Sequence, residues 1–209
     1  MISTSLTISA VTHGLDLAGV GANAVLGGVK AREHNYDIVG FITLALVSGL
    51  GGGIIRDTLL QHGPPLALTH PSYLITALAG AVVAYIIRIR GQVWENGYRL
   101  VDALAIGCWA AAGAQRTLLV GLGWLPAILL GTVTAVAGGV VRDLLLRDVP
   151  EILGGRRLYA TSAAAASVVL VAFDYAGQTA AGVVGAIVVG AGLCLLSYHL
   201  GWTLPRKAA

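Results

Sequence analysis

The sequence predicts an all-α integral membrane protein with seven transmembrane helices, arranged as two inverted three-helix repeats plus a seventh helix. Hydrophobic residues form 56% of the 209-residue chain and charged residues only 11%, whereas soluble domains carry about 25% charged residues. The apolar residues occur in long runs, and one set of polar and glycine residues recurs at a fixed separation. These observations predict a single membrane domain over residues 1–209 and exclude a soluble fold.

Each predicted span is an apolar run bounded by charge, proline, glycine or a polar cluster. The spans cover roughly 14–29, 37–60, 72–90, 100–117, 121–146, 158–174 and 178–200. The segment before the first span, residues 1–12, contains no Lys or Arg, so it lacks the basic region of a secretory signal peptide. We therefore expect the first span to remain in the mature protein.

The basic residues predict the orientation, because cytoplasmic connections retain Lys and Arg. If the spans alternate in direction, one side receives Lys30, Arg32, Arg88, Arg90, Arg99, Arg147, Arg156, Arg157, Arg206 and Lys207. The other side receives Arg116. The prediction is a multi-pass cell-membrane protein with its N-terminus outside and its C-terminus in the cytoplasm. Since the basic residues form short clusters rather than one continuous face, no nucleic-acid partner is expected.

An internal repeat appears when the sequence is shifted by 86 residues without a gap. The shift aligns Asp16 with Asp102, Gly21 with Gly107, Gly27 with Gly113, Lys30 with Arg116, Pro64 with Pro150 and Tyr73 with Tyr159. Repeat one covers about 13–90, repeat two about 99–175, and the extra helix about 178–200. Because each repeat holds an odd number of spans, the second copy must enter the membrane from the opposite side.

The same shift superposes two Gly-Gly-x-x-Arg-Asp elements on the second and fifth spans. The resulting pathway candidates are Gly51, Gly52, Gly53, Arg56, Asp57, Gly138, Gly139, Arg142 and Asp143. Consecutive glycines loosen a helix and expose carbonyls, which lipid tolerates only where the backbone lines a cavity or is buried in protein. We therefore expect the second and fifth helices to be broken at their glycines. Ionisable residues within a membrane indicate function. In the alternative interpretation, the arginines reach out to the interface and the glycines only permit close helix packing.

Two acidic residues, Asp16 and Asp102, occupy equivalent positions early in the first and fourth spans. They are secondary candidates, either as cation-attracting or proton-linked groups or as helix-interface residues. His13, His62, His70 and His199 are predicted at span ends, in interfacial positions. The two cysteines lie in apolar segments and indicate neither a disulfide nor a metal site. No nucleophile and base occur in a catalytic pattern, so neither catalytic residues nor an enzymatic activity are expected.

The paired glycine and Arg-Asp elements, set in an ungapped inverted repeat, resemble the prokaryotic branch of the trimeric intracellular cation (TRIC) channel family. The resemblance covers roughly residues 13–200. It implies a homotrimer in which each subunit has its own pore for monovalent cations, potassium above all, lined by the second and fifth spans. Permeant K⁺ or Na⁺ and membrane lipids are the expected partners, no cofactor is expected, and a prokaryotic plasma membrane is the implied location.

The resemblance also leaves an alternative open, because similar bacterial sequences carry the label of glycine transporters. Inverted repeats with interrupted helices suit alternating access as well as a pore. An arginine can bind a substrate carboxylate through two parallel hydrogen bonds. The animal members have a Lys-Glu-Val element at a lipid site on the fourth helix, and this tripeptide is absent here. Regulation by phosphoinositide lipids is therefore not expected.

Overall fold

The structure is a computed structural model that describes residues 2–87, 92–153 and 158–203. Within these ranges the chain forms α1 (Ile2–Glu33), α2 (Ile38–Leu60), α3 (Leu66–Thr69), α4 (Pro71–Ile86), α5 (Gln92–Leu119), α6 (Trp124–Leu145), α7 (Tyr159–Tyr175) and α8 (Thr179–Leu200). The predicted all-helical fold class is confirmed. The second and fifth predicted spans correspond to α2 and α6.

Local sequence signals set several of the helix ends. The carboxylate of Asp37 accepts a hydrogen bond from the backbone N–H of Gly40 at 2.8 Å, which caps the start of α2. Pro71 opens α4, where its missing N–H leaves no helical hydrogen bond unmade. Gly201 ends α8 with a φ of +66°, a left-handed conformation that glycine adopts without strain.

The observed helices differ from the predicted spans in several places. Helix α4 ends at Ile86, before the predicted end at 90, because Ile87 has an extended backbone. Helices α1 and α5 begin well before the predicted starts at 14 and 100, because hydropathy marks the part of a helix inside the bilayer and not its hydrogen-bonded ends. The short α3 lies in the connection predicted between the second and third spans. Six of the basic residues used for the orientation lie outside the described residues: Arg88, Arg90, Arg156, Arg157, Arg206 and Lys207.

Among the described helices, α2, α6 and α8 are long and apolar enough to cross a membrane, judged by length and composition. Helices α4 and α7 are apolar but hold 16 and 17 residues, which gives lengths of roughly 24 and 26 Å at the α-helical rise. Large apolar side chains point away from the bundle on α4 and α8, including Ile75, Val82, Ile86, Val184 and Val188. Such surfaces are typical of contact with lipid or with another subunit.

Helices α2 and α6 cross in an antiparallel arrangement at the centre of the bundle. A methyl group placed on Gly52 would overlap the carbonyl oxygen of Thr134, and one placed on Gly138 would lie 2.5 Å from the carbonyl oxygen of Ser48. Ser48 and Thr134 are themselves equivalent under the 86-residue shift. Each repeat thus presents the same glycine to the same backbone position of the other, and this reciprocity gives the crossing a local two-fold symmetry.

Both helices run without interruption through their glycines. The interruption expected from Gly51 to Gly53 and from Gly138 and Gly139 is therefore wrong for this structure. The glycines act instead through their missing side chains, because the two backbones could not approach this closely with a Cβ at Gly52 or Gly138. Helical hydrogen bonding at the glycines is retained.

Contacts between helix ends show how the bundle is arranged. Tyr36, just after α1, donates a hydrogen bond from its hydroxyl to the carbonyl of Leu145 at the end of α6, at 3.4 Å. The Arg32 guanidinium, near the end of α1, donates to the carbonyls of Tyr85 and Ile87 at the end of α4, at 2.6 and 3.0 Å. The C-terminal ends of α1, α4 and α6 therefore lie at one end of the bundle.

Candidate functional site

The first Arg-Asp pair is buried near the C-terminal end of α2. Arg56, which is 2% exposed, donates from Nε to Oδ1 of Asp57 at 2.8 Å. Its Nη1 lies 3.8 Å from Oδ2 of Asp16 on α1. The other oxygen of Asp57 accepts the backbone N–H of Leu66 at 2.9 Å, which anchors α3. The hydroxyl of Tyr73 on α4 donates to Asp16 Oδ2 at 2.8 Å, so three helices and α3 meet at one buried site.

The second pair is built in the same way near the C-terminal end of α6. Arg142, which is 5% exposed, donates from Nε to Oδ1 of Asp143 at 2.9 Å. Asp143 Oδ2 accepts the backbone N–H of Glu151 at 3.4 Å. The hydroxyl of Tyr159 on α7 donates to Oδ1 of Asp102 on α5 at 3.0 Å. Every side chain of this second site occupies the position that the 86-residue shift assigns to it.

The two sites lie at opposite ends of the bundle, because α2 and α6 are antiparallel and each site is near the C-terminal end of its helix. Arg56 follows Ile38 by 18 positions, which corresponds to roughly 27 Å along α2. Each site encloses a cavity of about 10 Å³, close to the smallest space that holds one water molecule. Gly53 and Gly139 line these cavities beside the guanidinium groups, whose Nη2 atoms would lie 3.8 and 3.7 Å from an added methyl.

The alternative interpretation of the Gly-Gly-x-x-Arg-Asp elements made two claims, one about the arginines and one about the glycines. The structure contradicts the first and supports the second in part. Arg56 and Arg142 do not extend to the surface of the bundle, since both guanidinium groups are buried against carboxylates. The close packing of helices is present, but it depends on Gly52 and Gly138 and not on every glycine. Asp16 and Asp102, the secondary candidates, join these sites as acceptors of the tyrosine hydrogen bonds.

Sequence reasoning missed three members of this arrangement. Two of them are Tyr73 and Tyr159, whose hydroxyls each have a buried hydrogen-bond partner. Their alignment in the repeat was the signal in the sequence, because a buried tyrosine hydroxyl usually has such a partner. Ser48 at the helix crossing is fully buried, and its hydroxyl has no hydrogen-bond partner within the described part of the chain. Across residues 2–87, 92–153 and 158–203, no group of three or more His, Cys, Asp or Glu could hold a metal ion.

Comparisons with known proteins show which family has this architecture. A family model described as "Glycine transporter" matches residues 13–88 and 99–175. A structure of a trimeric intracellular cation channel orthologue from Rhodobacter sphaeroides superposes with a TM-score of 0.83, at 32% sequence identity, covering 92% of this chain and 99% of that one. The chain belongs to the TRIC family.

Two bacterial relatives of this TRIC-family chain are described as membrane proteins. The UPF0126 membrane protein of Deinococcus radiodurans is 39% identical over 163 residues, which are 78% of this chain and 76% of the relative. The UPF0126 inner membrane protein YadS of Escherichia coli is 29% identical over 153 residues, 73% of each chain. The predicted family resemblance is confirmed, and this TRIC-family chain is a membrane protein.

Proposed function

We propose that the chain is a channel for monovalent cations, potassium above all, with a pore in each subunit. The observation that carries the proposal is the composition of the two buried sites. Each contains one guanidinium and at least two carboxylates: Arg56 with Asp16 and Asp57 in one, and Arg142 with Asp102 and Asp143 in the other, whose cavity Glu151 also lines. With all of these groups charged, each site has a net negative charge, which favours a cation.

A buried arginine with an uncompensated charge would repel cations, but the arginines of these two sites are compensated. Arg56 and Arg142 are each paired with the adjacent aspartate at 2.8 Å, so their charges are locally compensated. Asp16 and Asp102 then supply the additional negative charge. Similarity to a solved cation channel of the same fold supports the same conclusion, and the similar solved structures are channels rather than enzymes.

The proposed pathway runs along α2 and α6, past Gly51 to Gly53 and Gly138 to Gly139, with the two Arg-Asp pairs at its ends. At the crossing the backbones are in contact, and each cavity has room for about one water molecule. In this proposal the observed arrangement is the closed form of the pathway, and conduction requires α2 and α6 to separate.

The proposed architecture is a single membrane domain over 1–209, with seven spans as two inverted repeats, about 13–90 and 99–175, and α8 as the extra helix. The position of the two sites at opposite ends supports the inversion, and so do the two ranges matched by the family model. The N-terminus is outside and the C-terminus cytoplasmic in a prokaryotic plasma membrane. In support, Lys30, Arg32 and Arg147 lie near the C-terminal ends of α1 and α6, which share one end of the bundle.

The proposed assembly is a homotrimer surrounded by membrane lipids, with K⁺ or Na⁺ as the permeant ion and no cofactor. The Rhodobacter sphaeroides protein of the same fold is described as trimeric. Exposed apolar side chains on α4 and α8 provide surface for both lipid and subunit contacts. Mass measurement of the detergent-solubilised chain tests the trimer directly.

Single-channel recording in a planar bilayer under a KCl gradient tests the channel. We expect unitary currents that reverse near the potassium equilibrium potential. Asp16→Asn and Asp102→Asn should reduce the preference for K⁺ over Cl⁻, whereas Asp148→Asn, which alters an exposed carboxylate, is the matched control. Reproducible absence of current from folded protein contradicts the channel. Unaltered flux in Arg56→Lys, Arg142→Lys and Gly52→Ala together contradicts the proposed pathway.

A carrier of glycine or a similar small amino acid is the second candidate, and the description of the matching family model favours it. In that mechanism Arg56 or Arg142 binds the substrate carboxylate. The structure counts against it, because Asp57 and Asp143 already accept hydrogen bonds from these guanidinium groups. Saturable glycine uptake into proteoliposomes, lost in Arg56→Lys, supports the carrier, and uptake no faster than in empty liposomes excludes it.

A further inference from the structure

Two histidines lie together at the end of the bundle that holds the Arg56 site. His13 on α1 and His70 at the start of α4 have ring centroids 6.1 Å apart, in an edge-to-face arrangement. Both residues are exposed. Neither belongs to the Arg-Asp pairs, and the proposed pathway does not use them.

His13 is connected to the buried site through Tyr73. The Nδ1 atom of His13 lies 3.3 Å from the Tyr73 hydroxyl, and that hydroxyl donates its proton to Asp16 at 2.8 Å. Because the hydroxyl has one proton, it can only accept from His13, so Nδ1 must carry a hydrogen. Nε2 of neutral His13 is therefore the atom that gains a proton. Protonation would place a positive charge one tyrosine away from Asp16.

The equivalent positions in repeat two carry permanent charge. The 86-residue shift aligns His13 with Arg99 and His70 with Arg156. The Arg99 guanidinium lies over the ring of Tyr198, 5.2 Å from its centroid, whereas Arg156 lies outside the described residues. The described ends of the two repeats therefore differ in kind: His13 belongs to a residue type that can be neutral or protonated, whereas its equivalent, Arg99, belongs to one that stays protonated.

We propose that His13 and His70 form a proton-binding site at the mouth of the cation pathway, and that proton binding there lowers cation permeation. The inference rests on the proposed channel function. At neutral pH the carboxylate of Asp16 attracts cations to this mouth. In acid, up to two positive charges next to Tyr73 oppose that attraction, so fewer cations enter.

The charged and titratable groups around Tyr73 and Asp16, through which His13 reaches the buried site, determine the size of the effect. They are Asp16 on α1, Arg56 and Asp57 on α2, Tyr73 on α4 and Cys108 on α5. Arg56 and Asp57 compensate one another, so Asp16 is the charge that the histidines counteract. One added positive charge at roughly 6 Å from a cation in water lowers the local cation concentration about threefold. Two such charges lower it about tenfold.

The test is single-channel recording at about pH 7.5 and about pH 5.5. Each side of the bilayer is acidified separately. The variants are His13→Gln with His70→Gln, which removes both titratable groups, and His13→Arg, which installs the residue found at position 99. His62→Gln, an exposed histidine after α2, is the matched control. Size-exclusion profiles establish that each variant is folded.

We expect acid on one side to lower the K⁺ conductance threefold to tenfold in the unaltered protein and in His62→Gln. The double glutamine variant should conduct equally at both pH values, and His13→Arg should show a lower conductance with a reduced response to acid. Persistence of the acid effect in the double variant overturns the inference, and so does an equal effect from both sides. Absence of current at pH 7.5 refutes the channel itself, whereas normal current without an acid response refutes this inference alone.

Discussion

The three consecutive glycines of α2 should respond differently to the same small change. Replacement of Gly52 by alanine places a methyl group in the carbonyl oxygen of Thr134 on α6. At Gly51 the nearest atom would be the Cα of Gly138, at 3.6 Å, and at Gly53 it would be a terminal nitrogen of Arg56, at 3.8 Å. Only the middle glycine therefore requires the absence of a side chain.

The magnitude follows from two opposing effects. Alanine is favoured over glycine within a helix by about 1 kcal/mol, so Gly51→Ala and Gly53→Ala should be neutral or slightly stabilising. At Gly52 the same gain is opposed by overpacking of about 3 kcal/mol, at the upper end of the usual range because the obstructing atom is backbone. The two classes of variant should differ by about 3 kcal/mol, which corresponds to roughly 6 to 12 °C in Tm for a chain of this size.

Thermal unfolding of the purified protein in one detergent, at one protein concentration, measures this difference. Repeat two offers an internal replicate, because Gly138→Ala would meet the carbonyl of Ser48 at 2.5 Å whereas Gly139→Ala would meet Arg142 at 3.7 Å. Equal Tm values for all three variants of the 51–53 run would refute the described crossing. If single-channel currents change most in Gly51→Ala and Gly53→Ala, the glycines act by loosening the helix and not by permitting contact.

Three further predictions concern individual side chains. Arg56→Gln leaves two buried carboxylates without their cation and should lower the unfolding free energy by about 3–5 kcal/mol, measured by chemical denaturation. Arg56→Lys retains the charge and should be less destabilising. Equal losses in the two variants would show that the ion pair is not the source of the stability. Tyr73→Phe removes the donor to Asp16 and should destabilise by about 1–3 kcal/mol. The more exposed Tyr175→Phe should stay within about 0.5 kcal/mol, and similar losses would argue against the buried bond. Arg32→Gln removes the donors to the last carbonyls of α4, so amide hydrogen exchange in that turn should accelerate about tenfold. Unchanged exchange would show that these hydrogen bonds do not stabilise the last turn of α4.

Residue patterns predicted the helical membrane character and the matched Arg-Asp positions. The 86-residue shift paired Tyr73 with Tyr159 and Asp16 with Asp102, and each such pair occupies equivalent positions in the structure. These features could be predicted because polar and glycine residues are rare in membrane helices, so each has a specific reason to be present. The family resemblance followed from the same residues.

Other features depended on three-dimensional packing that the sequence does not encode locally. A run such as Gly51 to Gly53 predicts a flexible helix, but a neighbouring backbone determines which glycine is required, and α6 lies more than 70 positions away. The donor to Asp57 is a backbone N–H in the following connection, and every non-proline residue carries such a group. The early starts of α1 and α5 were missed because helical hydrogen bonds continue beyond the apolar segment.

The reciprocal contact of Gly52 with Thr134 and of Gly138 with Ser48 bears on how such a molecule could arise. In a symmetric dimer, residue i of one copy contacts residue j of the other, and j contacts i. The seam between the two halves has this form within a single polypeptide. A half-length ancestor inserted in both orientations would therefore form the same helix crossing between two identical copies. Gene duplication with fusion would then link two copies that already packed together. Divergence afterwards would be restricted at this contact, because any side chain on either glycine would separate the helices.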